Sequence, residues 1–235
     1  MKVPNISAPD VRAASDHSVL ITFGNSISRE LHREVRRAFD LLLAHSISGI
    51  TNLHPAYASI LISFDPRRLK AEILIETVRS LLKTGKPLPP PTETVVDIPV
   101  CYDEEFAPDL SDVASLHNLS VDEVVRKHSS VEYLVYFLGF SPGFPYLGNL
   151  PDDLATPRLP TPRVKVPAGS VAIGGEQTGI YPMDSPGGWR VIGRTPRRIF
   201  FPEKNPPTLL YTGALVRFVP IHRNEFQAIL KQEDR

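Results

Sequence analysis

The residues of this chain that could do chemistry are concentrated between Phe137 and Thr195. Basic side chains recur there, and guanidinium groups in particular suit bidentate recognition of carboxylates and phosphates. The basic candidates are Arg158, Arg163, Lys165, Arg190 and Arg194. Neutral hydrogen-bonding candidates follow them in the sequence: Gln177, Thr178, Tyr181 and Ser185. This combination predicts a site for a small acidic ligand or a partner surface; the alternative is that the basic residues only solvate loops.

Aromatic residues are interleaved with these polar groups. Two Ser-Pro-Gly turns, beginning at Ser141 and Ser185, are each followed by an aromatic residue, and core packing alone does not require that arrangement. Gly143 and Gly187 are expected to supply backbone conformations closed to other residues. The residues expected to line an apolar pocket, each with a place in a barrel core as its alternative, are Phe140, Phe144, Tyr146, Tyr181 and Trp189. Pro142 and Gly187, in the same turns, complete the ligand-binding candidates.

His128 stands apart from the other histidines because it ends a predicted helix just before the strand that leads into the turns. It would either move protons for a ligand or, as a cation, stabilise the helix C-terminus, and both interpretations stay open. No two histidines have metal-binding spacing on a helix, so no metal site is predicted. The glycine pairs lack the Lys-Ser/Thr of a phosphate loop.

Composition limits the partners that can be expected. The chain has 235 residues, enough for one large or two small domains, and its 26 basic residues balance 26 acidic ones. Bulk charge therefore points to neither nucleic acid nor a membrane surface. No apolar run approaches the ~20 residues of a membrane span, and the N-terminus lacks the apolar core of a signal peptide. The single cysteine, Cys101, fits a reducing compartment, most simply the cytoplasm.

Apolar periodicity in the first 90 residues predicts the order strand, helix, strand, strand, helix. The strands are expected at 18–23, 50–53 and 57–64, and the helices after an N-cap at Ser28 and at 69–82. A further strand after the second helix would complete a ferredoxin-like unit. Residues 1–15 are expected to form a loose lead-in.

The second half of the chain is predicted to be mainly β. A spacer at 83–94, with three consecutive prolines, separates an α+β domain at 1–90 from a domain at 91–235. The strand at 95–101 could finish the first domain or open the second. The further elements are helices at 109–117 and 120–128, strands at 133–138, 208–211 and 215–220, and a polar tail at 227–235. Short strands in this number predict a small closed barrel.

Several long blocks in the Pro/Gly-rich region resemble the KipI/PxpB family, the B subunits of bacterial 5-oxoprolinase, also called allophanate hydrolase subunit 1. The blocks are GFSPGFPYLGNL (139–150), PRLPTPRVKVPAGSVAIGG (157–175), QTGIYP (177–182) and SPGGWRVIGRTP (185–196). DHSVLITFGNSIS (16–28) and HSSVEYLVYFLGF (128–140) are similar to two further segments of the family. The resemblance extends from about Asp16 to Val219.

The resemblance implies an α+β fold, with a ferredoxin-like N-terminal domain followed by a cyclophilin-like β-barrel. It implies ATP-dependent cleavage of 5-oxo-L-proline to L-glutamate, together with a KipA/PxpC-like C subunit and a LamB/YcsF-like A subunit. ATP would be bound by the complex, because this chain has no recognisable nucleotide loop, and the chain alone would be inactive. Two alternatives stay open: an inhibitor of a histidine kinase, and half of the carboxyltransferase unit of a biotin-dependent urea carboxylase or allophanate hydrolase. Apart from Met1-Lys2 at the start of the sequence, this chain has no Met-Lys pair to which biotin could be attached, which speaks against the second.

Under this resemblance the candidate residues take specific roles. Opening a lactam with ATP would place cationic groups and hydrogen-bond donors around a developing oxyanion. The catalytic candidates are His128, Arg163 and Tyr181. The substrate-binding candidates are Phe140, Pro142, Phe144, Tyr146, Arg158, Lys165, Gln177, Thr178, Ser185, Gly187, Trp189 and Arg194.

Overall fold

The chain divides into two compact units, Met1–Thr92 and Glu93–Arg235. The computed structural model describes residues 8–85 and 94–233. Most of the predicted proline-rich spacer, and the predicted boundary after residue 90, lie outside the described residues. None of the described helices is long and apolar enough to cross a membrane.

The first unit is a four-stranded antiparallel sheet with two helices. Its elements are β1 (Asp10–Ser15), β2 (Ser18–Thr22), α1 (Arg29–His45), β3 (Ile50–Pro55), β4 (Ser59–Phe64) and α2 (Ala71–Thr84). The strand order is β1-β2-β4-β3, and all neighbours are antiparallel. This is the arrangement of a ferredoxin-like sheet in which the N-terminal strand, instead of one after α2, occupies the edge beside β2.

The strand β1 corrects the expectation of a loose lead-in through residue 15. Only Val11 of its six residues is buried, so the alternation of apolar and polar residues that marks a strand is missing. The strand forms because its backbone pairs with β2 from Asp10↔Thr22 onward. Elsewhere in this unit, the predicted N-cap is confirmed, since the Ser28 hydroxyl accepts a hydrogen bond from the Leu31 amide at 3.1 Å.

The second unit is built on a closed seven-stranded barrel, in the order β10-β7-β6-β13-β5-β12-β9. Its strands are β5 (Val95–Cys101), β6 (Glu132–Leu138), β7 (Pro145–Gly148), β8 (Arg163–Val166), β9 (Ser170–Gly174), β10 (Gln177–Ile180), β11 (Ser185–Gly187), β12 (Arg190–Arg194) and β13 (Leu215–Ile221). Its helices are α3 (Leu110–Leu116), α4 (Val121–Ser129) and α5 (Arg223–Glu233), with a 3-10 turn at Asp152–Leu154. The strands β8 and β11 pair with each other as a separate ribbon. The predicted α+β class, with a barrel in the second half, is confirmed.

Apolar side chains fill the interior of this barrel. They include Ile98, Val100, Val135, Leu147, Val171, Ile173, Ile192 and Val216, all of them fully buried. The interior is therefore a packed core and not a channel. The strand at 95–101, whose domain the sequence left open, belongs to this barrel, since β5 pairs in parallel with β13.

Two expectations for the end of the chain were wrong. Residues 208–211 do not form a strand, and only an isolated bridge joins Thr208 to Phe200. The expected polar tail is largely the helix α5. Its one buried residue, Phe226, stacks on Phe106 with ring centroids 4.3 Å apart. A buried aromatic anchor therefore holds this helix, whose Ile229 and Leu230 are only partly buried.

Candidate functional site

His128, the residue set apart by its position in the sequence, lies inside the barrel and is fully buried. Its Nδ1 is 2.9 Å from the hydroxyl of Tyr102, and its Nε2 is 3.0 Å from Oγ1 of Thr178. Its ring stacks on Phe218 with centroids 4.6 Å apart. Burial lowers the pKa of His128 to about 3, so the imidazole is neutral at physiological pH. Both ring nitrogens are thus engaged within the barrel core.

The guanidinium of Arg163 is held by a buried carboxylate. Its two terminal nitrogens donate to both oxygens of Asp109, at 2.9 and 2.6 Å. Asp109 is 3% exposed and also accepts a hydrogen bond from the amide of Val191 at 2.6 Å. This arrangement ties β8 and β12 to the start of α3. Asp109 was not among the residues predicted for the site, because its partner Arg163 lies 54 positions away, where no local pattern reveals the pair.

Three other basic candidates are also engaged by the protein. Lys165 pairs with Asp184 at 2.7 Å. Arg194 donates from Nε to a backbone carbonyl at 2.9 Å. Arg190 donates to a backbone carbonyl at 3.2 Å and pairs with Asp112 at 3.4 Å. These side chains fasten the turns that carry them.

Five aromatic residues form a cluster distinct from the barrel core: Phe140, Phe144, Tyr146, Tyr181 and Trp189, hereafter the aromatic cluster. Phe144 is at its centre and meets Tyr146, Tyr181 and Trp189 edge-to-face, with centroids 5.1, 5.2 and 5.5 Å apart. Phe140 contacts Phe144 and Tyr181 in the same geometry. Edge-to-face pairs of this kind are attractive beyond the area they bury, so the rings fix one another's positions.

Two glycines let backbone approach this cluster closely. A Cβ on Gly174 would overlap the ring of Trp189, and a Cβ on Gly187 would overlap the hydroxyl of Tyr181. Both glycines belong to the family-like blocks at 157–175 and 185–196. Because glycine has no side chain, the indole of Trp189 and the hydroxyl end of Tyr181 can lie directly against the backbone.

Phe140 is presented to solvent by an unusual backbone. Its φ is 65°, a left-handed conformation that is uncommon for bulky residues, and 64% of the residue is exposed. Gly143, with φ 82°, and the adjacent Ser-Pro turn complete the loop. Backbone strain held by the surrounding structure occurs preferentially at ligand-binding and catalytic sites.

Arg158 differs from the other basic candidates. It is exposed, and its guanidinium carbon lies 5.8 Å from the ring centroid of Trp189. Among the residues that the structure describes, it has neither an acidic partner nor a hydrogen bond. Burial raises the pKa of Tyr146 and of Tyr181, and the positive charge of Arg158 opposes both shifts. A free guanidinium thus lies beside an aromatic surface that carries two phenol hydroxyls.

The hydroxyls of the two Ser-Pro-Gly turns are unusual as well. The Oγ atoms of Ser141 and Ser185 are buried and have no hydrogen-bond partner within the described part of the chain. Buried hydroxyls are normally paired, so two unpaired ones on the turns that carry the aromatic cluster are unusual. The sequence had singled out Ser185 as a binding candidate but not Ser141.

The remaining candidates are divided between the barrel core and its surroundings. Thr178 is fully buried beside His128, and Gln177 precedes it in β10. Pro142 is exposed in the loop after Phe140. The structure therefore brings the aromatic candidates, Arg158 and Gly187 together and leaves His128 and Thr178 in the core. That any of these residues binds a ligand stays a prediction. Within residues 8–85 and 94–233, no group of three or more His, Cys, Asp or Glu side chains could hold a metal ion.

Comparison with known proteins gives matches along nearly the whole chain. Residues 9–210 match the family described as carboxyltransferase domain, subdomain C and D. The B subunit of 5-oxoprolinase from Bacillus subtilis is 37% identical over 234 residues, covering 95% of this chain and 98% of that protein. The protein of the same name from Escherichia coli O157:H7 is 55% identical over 130 residues, which are 55% of this chain and 60% of that protein.

Solved structures give the same architecture within longer chains. The crystal structure of TTHA0988 matches with a TM-score of 0.77 at 38% identity, and covers 91% of this chain. The match spans only 40% of that longer chain. The urea carboxylase of Kluyveromyces lactis matches with a TM-score of 0.79 over 99% of this chain and 24% of its own. Its identity is 20%, so this last likeness shows the fold alone.

Proposed function

Because the chain belongs to the carboxyltransferase subdomain C and D family, and within it to the KipI/PxpB family, we propose that it is the B subunit of an ATP-dependent 5-oxoprolinase. The complex cleaves 5-oxo-L-proline to L-glutamate and includes A and C subunits. The observation that carries this proposal is the 37% identity to the Bacillus subtilis 5-oxoprolinase chain over 95% of this chain and 98% of that protein.

The reaction breaks the lactam C–N bond. ATP transfers its terminal phosphoryl group to the amide oxygen, water adds to the activated carbon, the nitrogen leaves with a proton, and phosphate is released by hydrolysis. The net reaction consumes two water molecules, one that opens the lactam and one that releases the phosphate by hydrolysis. The negative charge on the oxygens of the transferring phosphoryl group needs cationic groups and hydrogen-bond donors at fixed positions.

The aromatic cluster supports a role in binding and orienting the substrate. Its rings offer an apolar surface for the ring of 5-oxoproline, and the phenol hydroxyls of Tyr146 and Tyr181 can donate to a carbonyl oxygen. Burial raises the pKa of Tyr181, so its hydroxyl keeps its proton at physiological pH and can donate it to a ligand. We keep Tyr181 as a catalytic candidate on this ground. The geometry of His128 and Arg163 favours a structural role for both.

The nucleotide is assigned to another subunit or to an interface between subunits. Gly174 and Gly175 end β9 and turn the chain into β10, so they form a β-hairpin and not a loop before a helix. The complete site is therefore composite, and this chain alone is inactive. The carboxyltransferase alternative is supported by the family description and by the fold of the urea carboxylase, but that protein is only 20% identical, against 37% for the 5-oxoprolinase chain. The kinase-inhibitor alternative has no comparable observation in its favour.

The proposal is tested by co-expressing this chain with the A and C subunits found with it in its source organism, and purifying the three together. The purified complex should release glutamate from 5-oxo-L-proline only when ATP is present. An assembled complex that hydrolyses no 5-oxo-L-proline would refute the assignment. Turnover by this chain alone would refute the composite site.

A further inference from the structure

We propose that Arg158 binds a carboxylate at the aromatic cluster, so that this surface selects small cyclic carboxylates over neutral lactams. The contacts of this chain indicate the class of ligand. Its identification with 5-oxo-L-proline rests on the proposed function.

The other basic residues of this region already have partners within the protein. Among the basic residues between Phe137 and Thr195, Arg163, Lys165, Arg190 and Arg194 are all held by carboxylates or backbone carbonyls. Only the guanidinium of Arg158 has all five of its donors free among the described residues. An exposed arginine is common by itself, so its surroundings must decide whether it forms part of a site.

The guanidinium of Arg158 lies beside a fixed aromatic ring. It lies 5.8 Å from the centroid of Trp189, a distance at which the indole face attracts a cation. Trp189 is itself fixed between Phe144, Tyr146 and the backbone of Gly174. An arginine held against a fixed ring loses less freedom when it binds a carboxylate, because its planar fork is already oriented.

Two serine hydroxyls lie on the turns that carry the aromatic cluster. Ser141 follows the exposed Phe140, and Ser185 lies on the same short strand as Gly187, whose backbone contacts the hydroxyl of Tyr181. Both serine hydroxyls are buried without a hydrogen-bond partner in the described chain. Leaving buried donors unpaired costs stability, and both of these lie on turns that carry the aromatic cluster. The surface itself combines one free cation with aromatic ring faces, which matches an apolar ring bearing a carboxylate.

The chain reports on this surface directly, since Trp189 is its only tryptophan. We would titrate the full chain with three probes while recording its fluorescence. The first is 5-oxo-L-proline, the second is cyclopentanecarboxylate, which lacks the lactam, and the third is 2-pyrrolidinone, which lacks the carboxylate. Saturable changes are expected with the two carboxylates, and at least tenfold weaker binding with 2-pyrrolidinone.

Substitution then assigns the effect to one side chain. Arg158→Gln should weaken binding of both carboxylates roughly 10- to 100-fold, the loss expected for a charged hydrogen-bonded partner. The matched control is Arg198→Gln, which removes an exposed arginine that also lies over an aromatic ring, that of Phe201 at 5.1 Å. This control should bind the carboxylates as the unsubstituted chain does.

The outcomes separate this inference from the proposed function. Carboxylate binding that is unchanged in Arg158→Gln, or no fluorescence response to any probe, overturns the inference even if the three-subunit complex makes glutamate. Arg158-dependent binding of cyclopentanecarboxylate without binding of 5-oxo-L-proline upholds the carboxylate site and overturns its link to 5-oxoproline.

Discussion

The barrel unit contains two groups of aromatic and polar side chains, and they differ in how their hydrogen bonds are satisfied. Around His128, the hydroxyls of Tyr102 and Thr178 pair with the two ring nitrogens, and nothing is exposed. At the aromatic cluster, the guanidinium of Arg158 and the hydroxyls of Ser141 and Ser185 have no partner in the described chain.

This difference separates structural polar residues from ligand-binding candidates. Histidine and arginine are the residue types most often assigned to catalysis, yet both ring nitrogens of His128 are paired within the fold and Arg163 is held by the buried carboxylate of Asp109. A protein loses stability by leaving buried polar groups unpaired, so unpaired groups concentrated on one surface point to a ligand. The state of the hydrogen bonds, and not the residue type, is the better guide here.

The largest effect on stability is expected at His128. His128→Ala would leave a cavity in the core and remove the partners of two hydroxyls, lowering the free energy of unfolding by about 3–5 kcal/mol. Denaturant unfolding followed by Trp189 fluorescence measures this change. The exposed His222→Ala is the control and should shift the free energy by less than about 0.5 kcal/mol. Equal stability of the two variants would contradict the structural role of His128.

A smaller loss is expected at Arg163, and almost none at Arg158. Arg163→Ala would leave the carboxylate of Asp109, 3% exposed, without its cationic partner, and should cost about 2–3 kcal/mol of unfolding free energy. Arg158→Ala removes an exposed side chain without a hydrogen bond and should cost less than about 0.5 kcal/mol. The same denaturant titration compares them, and a reversed order would break the distinction between the two groups.

The pH dependence of stability should also show that His128 is buried and neutral in the folded barrel. The pKa of His128 is lowered to about 3 in the folded state, against 6.5 when it is free. Between these values the unfolded chain takes up a proton that the folded chain does not. The free energy of unfolding therefore falls as pH decreases from 6.5, by up to about 1.4 kcal/mol per unit, and has no contribution from His128 above that pH.

The neighbours of His128 do not titrate in this window, because burial raises the pKa of Tyr102 and of Tyr133. In His128→Gln the slope between pH 6.5 and 4.5 should be shallower, as measured by urea unfolding at a series of pH values. An identical slope in the two proteins would show that His128 is protonated in the folded barrel.

The effect on stability expected at Phe140 is as small as that at Arg158. The ring is 64% exposed, so Phe140→Ala should change the free energy of unfolding by less than about 0.5 kcal/mol. Because the ring borders the aromatic cluster, the same variant should still weaken binding of 5-oxo-L-proline, about 3- to 10-fold. A marked loss of stability without a change in binding would place Phe140 among the structural residues.

Much of the fold could be predicted from local sequence. The N-cap at Ser28 and the capping box of Ser120 and Glu123 are read within a few residues, and both are present. The elements that were missed, β1 and α5, owe their order to tertiary contacts. The strand β1 needs the edge of β2, and α5 needs the contact of Phe226 with Phe106.

The candidate site divides in the same way. The rings and turns between Phe137 and Thr195 could be recognised because Ser-Pro-Gly motifs and aromatic residues recur there. Whether the guanidinium groups of Arg158 and Arg163 are paired could not be predicted, because it depends on whether the fold brings a carboxylate from a distant position in the sequence. Asp109 does so for Arg163 across 54 residues, and no described carboxylate does so for Arg158. The direction in which His128 faces at the end of α4 was equally beyond the sequence.

The most direct test of this account compares kcat/KM for 5-oxo-L-proline in three-subunit complexes that carry Arg158→Gln or His128→Gln, normalised to folded complex. We expect Arg158→Gln to lower kcat/KM at least tenfold in an intact complex, mostly through KM. We expect His128→Gln to change it less than about threefold, because the ring lies in the core. Normal activity with Arg158→Gln, together with an inactive but folded His128→Gln complex, would contradict the account.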